Sequence, residues 1–510
     1  MVAWFKVPGL GRAVNRFVLA AALGLGSVST AVAGDCGDIG RSLRGNEAGL
    51  DNKAVQAFYD SFGSGCAWDE NAGAALVAAL QGAADHGLEP ALFHADAMAM
   101  RDDAARDVLM TDGALKYASV MTYGLSGKAP SARDRAHSKS KGEFVDRLID
   151  ALIQGEVAAW LDALPPKTDT YERLRAALTT YRAIAQAGGW EPVPNSVAGK
   201  WRRKSKDYSG LRRRLAMEGD LAADNGSARY DDELWAAVVK FQERNSLRAD
   251  GRLTPKTIDR LNISASQRVA QIALNLDRLR VAERDTPATR VEVNAPAATA
   301  VLFRDGAPFL RMNAVVGAPD GHETPTLTST IDTIVLNPTW TIPQSIIEKE
   351  IKPALKRNKK YLEQNRMYWV RDQLVQEAGP HNALGRIKFD FPNRYSVYLH
   401  DTPSRRAFTD PERALSHGCV RLERPLDLAV ELLKADAAWD GNAIEDAIRE
   451  GATRRIALSE PMPVVITYQT AFVAEDGSTH FRPDIYGRDT QLTLVLSERA
   501  ATMRSEPPQW

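Results

Sequence analysis

A cysteine attacks a carbonyl as its thiolate, so it needs a base or a positive neighbour to bring its pKa down from about 8.5. Cys419 has candidates for both. The chain reads Ser416-His417-Gly418-Cys419-Val420-Arg421, and His400-Asp401-Thr402-Pro403 begins nineteen residues earlier (419 − 400 = 19). His417 stands two positions before the thiol, and an extended backbone would place both side chains on one face. His400 ends a predicted strand, with enough chain after it for a loop to bring it back beside the sulfur. Gly418 lets the backbone approach a substrate closely, and amides at Gly418 and Cys419 are candidate oxyanion donors. The chemistry these residues suit is acyl transfer through a cysteine.

The elements that must position them are strands. Val291–Asn294, Ala300–Phe303 and Thr333–Leu336 are β-rich runs bounded by Gly, Pro and Asp turns. A charged helical stretch from Ile346 to about Gln376 interrupts them. Strands resume at Ile387–Phe389 and Ser396–His400, and Val464–Tyr468 reads as a closing strand. Upstream, from Gly34 to Pro194, the chain is rich in Ala and Leu at helical spacing and is punctuated by Pro165-Pro166 and Gly188-Gly189. His86, His94 and His137 lie far apart there and read as core or surface residues. Between Tyr208 and Asn262 a small three-helix unit is expected, its last helix opened by Thr254 as N-cap and Pro255 at the first position. The fold class is therefore multi-domain α+β: a helical N-terminal domain, a three-helix domain, and a mostly β catalytic domain with a helical lid insertion. The expected boundaries are 34–205, 206–264 and 265–495, with the insertion at about 346–379 and a frayed tail over 496–510.

Composition limits the partners. The 510 residues carry 65 Lys+Arg and 65 Asp+Glu, so no global basic field draws nucleic acid. Runs such as Arg202-Arg203-Lys204 and Arg212-Arg213-Arg214 read as solvated faces. Lys6, Arg12 and Arg16 precede an apolar run from Phe17 to about Leu25 and a small-residue stretch ending Ala31-Val32-Ala33. That order is the pattern of a secretory signal peptide over 1–33. No later segment is apolar enough to span a membrane, so none is expected in the mature chain. In an oxidising compartment Cys36 and Cys66 are expected to pair, leaving Cys419 as an odd thiol that needs a reason. Three dispersed cysteines make no zinc cluster, and neither a metal nor an organic cofactor is called for.

Two resemblances sharpen this reading. Ala237-Val238-Val239-Lys240-Phe241-Gln242 and Asp250-Gly251-Arg252-Leu253-Thr254-Pro255 resemble the hallmarks of the peptidoglycan-binding domain of wall enzymes. A departure is Asn245-Ser246-Leu247, where many such domains have a glycine before the leucine. Ser416-His417-Gly418-Cys419 with Arg421 and the upstream His400 resembles the signature of the YkuD-type L,D-transpeptidase catalytic domain. Val316-Gly317, Thr324-Pro325, Asn337-Pro338-Thr339-Trp340, Asn382-Ala383-Leu384-Gly385, Phe391-Pro392-Asn393 and Asp484–Asp489 extend it to the large, multi-domain subfamily. Here Asn275–Arg280 replaces the tryptophan-rich stretch common in that subfamily.

The resemblance implies roles. Cys419 would be the nucleophile, His400 the general base, and Asp401 would orient the imidazole through its backbone carbonyl. His417, Gly418 and Cys419 would frame the oxyanion hole, and Arg421 would meet a substrate carboxylate. Trp340 and Tyr398 would be pocket walls, and the insertion a lid that excludes water. The implied function is a periplasmic L,D-transpeptidase of cell-wall biogenesis and cell shape. It would take tetrapeptide stems as donor, a second stem as acceptor, form 3→3 cross-links, and be acylated by carbapenems. The same site could instead attach an envelope protein or act as a carboxypeptidase, and other wall-synthesis proteins are possible partners. A reading of another class is a non-catalytic wall-binding scaffold, which the presence of both Cys419 and His400 disfavours. A papain-like protease is disfavoured because its cysteine would precede its histidine.

Overall fold

Alanine- and leucine-rich helices bury their apolar stripes against one another when no sheet is present to cover them. The computed structural model describes residues 52–504 apart from 64, 102–103, 128–140, 199–206 and 283–285. The expected signal peptide, Cys36, His137 and residues 505–510 lie outside the described residues. Helices α1 (Asn52–Phe62), α2 (Glu70–Gln81), α3 (Ala104–Tyr123) and α4 (Lys141–Gln154) close around Phe58, Leu76, Leu80, Met110 and Leu148. α3 runs through the middle, so even its polar residues are buried and must be paired. Asp107 accepts the Ala67 N–H at 3.0 Å and the Trp68 N–H at 3.1 Å, and Asp112 meets His94 at 2.7 Å. His86 bonds the Tyr171 hydroxyl at 3.0 Å from α5 (Asp169–Gln186). Both histidines are thus spent on packing. Cys66 is disulfide-bonded, and Cys419 is free.

The three-helix unit comprises α6 (Asp207–Met217), α7 (Asp232–Arg244) and α8 (Pro255–Leu261), around Leu211, Leu234, Val238, Phe241 and Ile258. Thr254 caps its helix as expected, accepting the Thr257 N–H at 3.2 Å, and Asp231 caps α7 by accepting the Leu234 N–H at 3.0 Å.

Helix α9 (Ala265–Ala282) joins the units, packing Ile272 and Leu276 with Leu174 and Leu178 of α5 and with Phe481. Its buried polar residues tie it on several sides. Asp277 accepts the Leu125 N–H at 2.6 Å, Arg280 bonds the Tyr171 hydroxyl at 3.2 Å, and Asn275 donates to Thr470 at 2.8 Å. The segment that departs from the tryptophan-rich pattern is thus a polar seam.

The C-terminal domain is built on strands β1 (Arg290–Asn294), β2 (Thr299–Arg304), β3 (Ala307–Gly317), β4 (Leu327–Leu336), β8 (Ile387–Asp390), β9 (Leu399–His400), β10 (Ala414–Ser416), β11 (Val420–Leu422) and β12 (Arg454–Thr467). They form one nine-stranded sheet ordered β10-β3-β11-β9-β8-β4-β12-β1-β2, and a further β2–β3 pairing curls it back on itself. Helices α10 (Pro425–Leu433) and α11 (Gly441–Glu450) cover its apolar face with Leu428, Leu432 and Ile444.

Three expectations need correcting. Arg212 and Arg214, read as part of a solvated face, are buried, and pair with Asp231 and Glu233 and with Glu218. The lid insertion is mixed rather than helical. After short helical turns over Gln344–Arg357 come β6 (Met367–Val370) and β7 (Gln373–Gln376), which pair with β5 (Trp340–Thr341) in a three-stranded sheet. Met-Tyr-Trp-Val is strand-forming, and Arg371 adopts φ 52° at the turn. The tail does not fray at 496. Residues Arg488–Arg504 form a helix, α12, whose Leu496, Ala500 and Met503 recur at helical spacing and pack on the core of the N-terminal domain. Among the described residues, no helix is long and apolar enough to cross a membrane.

Candidate active site

Register decides which side chains meet. β9 runs parallel to β11, with Val420 opposite Leu399 and Arg421 opposite His400, and β8 sets Lys388 opposite His400. Because side chains alternate across a strand, Phe389, Leu399, Val420 and Leu422 point into the apolar core. The other face therefore gathers Lys388, Tyr398, His400, Cys419 and Arg421. One strand pairing separates a core from a polar site.

His400 is buried, 4% exposed, and its Nδ1 lies 2.5 Å from the Asp401 carbonyl oxygen. A carbonyl only accepts, so Nδ1 carries the proton and a neutral ring keeps Nε2 as its basic atom. Burial lowers the His400 pKa to about 3; the positive charge of Arg421 adds to this, and main-chain hydrogen bonds at Asp401 and Leu384 pull the other way. The Asp401 carboxylate faces away from the ring and accepts the Arg386 N–H at 2.9 Å. Gly385 (φ +63°) is needed here, because a Cβ on it would lie 2.4 Å from that carboxylate.

Cys419 is half-buried and its Sγ lies 3.9 Å from the Ser396 carbonyl oxygen. Burial raises the thiol pKa, opposed by hydrogen bonding from the Tyr398 N–H and hydroxyl and by the charges of Lys388 and Arg421. Tyr398 is a pocket wall with a polar tip: its hydroxyl interacts with Cys419 and with the Trp340 side chain. Lys388 Nζ sits 4.2 Å above its ring. Arg421 is desolvated, and its buried Nε has no hydrogen-bond partner among the described residues.

The extended backbone expected through His417 is absent. Gly418 takes φ +110°, a conformation that favours glycine, and this breaks the alternation between His417 and Cys419. His417 turns outward to Glu350 of the lid, edge-on to His322 with ring centroids 4.8 Å apart. The Gly418 N–H is directed to the Ser416 hydroxyl at 3.2 Å. Thr324 grips the turn from below: its hydroxyl donates to the Gly418 carbonyl at 2.9 Å and accepts the Gly317 N–H at 2.8 Å. Tyr486 supports Thr324 in turn, its hydroxyl accepting the Thr324 N–H at 3.2 Å and donating to the Gly317 carbonyl at 2.7 Å. Sequence reasoning did not single out Glu350, His322, Lys388 or Ser396. Nothing in their local spacing marks them, since they reach the site only through the lid and through strand pairing.

Family models match three segments. Residues 288–450 match the L,D-transpeptidase catalytic domain (YkuD), residues 53–178 a "Scaffold domain", and residues 204–261 a "Putative peptidoglycan binding domain". A protein of Haemophilus influenzae named "Putative L,D-transpeptidase" is 31% identical over 290 residues, covering 51% of this chain and 58% of that protein. Among solved structures, an L,D-transpeptidase from Mycobacterium smegmatis is 13% identical over 35% of this chain and 58% of its own, with a TM-score of 0.20. One from Xylanimonas cellulosilytica is 16% identical over 54% of this chain and 100% of its own, with a TM-score of 0.19. On the family matches, the chain carries a YkuD-type L,D-transpeptidase catalytic domain, preceded in sequence by a peptidoglycan-binding domain.

Proposed function

We propose that this chain is an exported, periplasmic enzyme that forms 3→3 cross-links in peptidoglycan through an acyl-enzyme on Cys419. The observation that carries the reading is the polar face on which Cys419, His400 and Arg421 lie together, the buried Arg421 Nε having no hydrogen-bond partner among the described residues. A tetrapeptide stem would enter with a carboxylate on Arg421 and its scissile carbonyl at Cys419. Thiol and imidazole both start neutral, which suits general-base attack. His400 Nε2 takes the thiol proton as the carbon–sulfur bond forms, then hands it to the departing D-alanine amine. The Cys419 N–H is the natural oxyanion donor, since the Gly418 N–H is already engaged by Ser416. The side-chain amine of a second stem then attacks the thioester and regenerates the thiol. The lid, tied down by Glu350 and His417, would keep water from competing. Carbapenems, which carry a strained carbonyl, are expected to acylate the same sulfur.

The test is incubation of the mature protein and its Cys419→Ala variant with purified disaccharide-tetrapeptide, followed by mass spectrometry. A dimer lacking one D-alanine, absent with the variant, is expected. A trimmed monomer alone would replace the cross-linking reading with carboxypeptidase activity. No change with a folded wild-type protein would favour the scaffold reading.

A further inference from the structure

The Cys419 N–H and the Gly418 carbonyl belong to one peptide unit. That unit is planar and trans, so the two groups point in opposite directions and holding the carbonyl aims the N–H. The Thr324 hydroxyl does the holding, donating to the Gly418 carbonyl at 2.9 Å from a fully buried position. Thr324 has little freedom of its own. The Tyr486 hydroxyl accepts its N–H at 3.2 Å, and Arg488 donates to its carbonyl at 3.1 Å. The same Tyr486 hydroxyl donates to the Gly317 carbonyl at 2.7 Å, which closes a ring of contacts beneath the turn. Aim matters here, because an oxyanion donor acts only on the position where charge develops.

Tyr486 is itself held from two directions. On one side the Tyr468 hydroxyl accepts the Tyr486 N–H at 3.0 Å and donates to Asp484 at 2.6 Å. Asp484 also accepts the Asp489 N–H at 2.9 Å, which fixes the start of α12, and Asp489 pairs with Arg278 of α9 at 2.6 Å. On the other side α12 runs on for 17 residues, about 25 Å, and sets Leu496, Ala500 and Met503 against the N-terminal core. The N-terminal domain supplies none of the described residues of the site. One helix nevertheless joins its core to the turn that bears Cys419.

We propose that Tyr486 is a positioning residue for acyl transfer, and that α12 makes the N-terminal domain a structural part of the site. Packing at the far end of the helix sets Tyr486 and Arg488, these set Thr324, and Thr324 aims the Cys419 N–H. The inference rests on the proposed function in treating that N–H as the oxyanion donor. It goes further in giving the N-terminal domain a catalytic consequence. No contact to substrate is involved, so the effect falls on kcat rather than KM. The thiol's own reactivity is untouched as well, because alkylation of sulfur by a small halide passes through no oxyanion.

The experiment compares the full mature chain with its Tyr486→Phe and Leu496→Ser/Met503→Ser variants. It reads D-alanine release from disaccharide-tetrapeptide and iodoacetamide labelling of Cys419. D-Alanine leaves whether stems are cross-linked or trimmed, so this readout survives a failure of the cross-linking reading. Tyr486→Phe keeps the ring and loses both hydroxyl hydrogen bonds. Its kcat is expected to fall about ten-fold, with KM and labelling within about two-fold of wild type. The helix-end variant should lower kcat about three-fold in the same manner. Combined, the changes should cost no more than Tyr486→Phe alone, since both act through Thr324. A kcat for Tyr486→Phe within about two-fold of wild type would overturn the positioning role. So would a matching loss of labelling, which would mean a collapsed site. An unchanged helix-end variant, or losses that multiply, would overturn the link to the N-terminal domain. A wild-type chain that releases no D-alanine would sink the proposed function and this inference together.

Discussion

The thiol and the imidazole of this site are each displaced toward their neutral form, and that sets what the resting enzyme can do. Burial raises the Cys419 pKa and lowers that of His400 to about 3, so no ion pair forms between them before substrate arrives. A small alkylating agent should therefore react slowly with Cys419 at pH 7, and its rate should climb only above the ordinary thiol range. A pH profile of iodoacetamide labelling checks this, and fast labelling on a plateau near pH 6 would mean a preformed thiolate. Arg421→Gln should raise KM for the tetrapeptide about ten-fold, because the lost contact is to substrate, and should slow that labelling, because a charge that partly offsets the raised thiol pKa is removed. Gly385→Ala should cost about 1–3 kcal/mol in thermal unfolding and lower turnover, since its Cβ meets the Asp401 side chain at 2.4 Å. Residue types were legible in the sequence at this scale: cysteine, histidine and arginine announce their chemistry by identity and spacing. Their charge states were not legible, because burial depends on neighbours that strand pairing supplies.

At the scale of elements, the family-like motifs away from Cys419 turn out to hold the frame. Asn337 donates to the Ala447 and Ile448 carbonyls at the end of α11, Asn382 donates to Pro338 and Glu377, and Asn393 accepts the Tyr395 and Val397 N–H groups before β9. Asp484–Asp489 acts from further off, through Tyr486 under Thr324 and through Asp489, which pairs with Arg278 at 2.6 Å. Such asparagines satisfy buried main-chain groups in turns, so the motif is visible in sequence while its structural purpose is not. The lid shows the opposite case. Its charged residues read as a helix, yet Trp340 to Gln376 also makes a sheet, because pairing with β5 is a tertiary choice that propensity does not encode. The contact between the insertion and the site, Glu350 to His417, joins two half-exposed groups and so is worth at most about 1 kcal/mol. Glu350→Ala should accordingly raise the ratio of trimmed to cross-linked product by about two- to five-fold, read by mass spectrometry with acylation otherwise intact. An unchanged ratio would show that lid closure does not rest on this contact.

Across the whole molecule, buried neutral histidines link separate units to one property, acid stability. His86 sits in the N-terminal domain, His400 in the active site and the partly buried His480 in a hairpin of strands Ala471–Val473 and Thr479–Phe481 packed near α7; desolvation lowers the first two to about 3 and the third to about 4. Each is depressed from an ordinary value near 6.5, so between that value and its folded one the unfolded chain binds a proton that the folded chain refuses. Stability is therefore complete above about pH 6.5 and is lost as pH falls through the window below it. In the steep part each histidine contributes about 1.4 kcal/mol per pH unit, and three together about 4. Burial raises the carboxyls of Asp107 and Asp220, which work in the opposite sense toward the acid end, so the histidines are read over the interval from pH 6.5 to about 5. Over that interval the unfolding free energy from denaturant titrations should fall steeply, in low salt and in high. His86→Gln, which keeps a polar partner for Tyr171, should flatten the slope by about one proton. A slope equal to wild type would remove His86 as a sensor, and a wild-type slope near zero would mean these rings are protonated in the folded state.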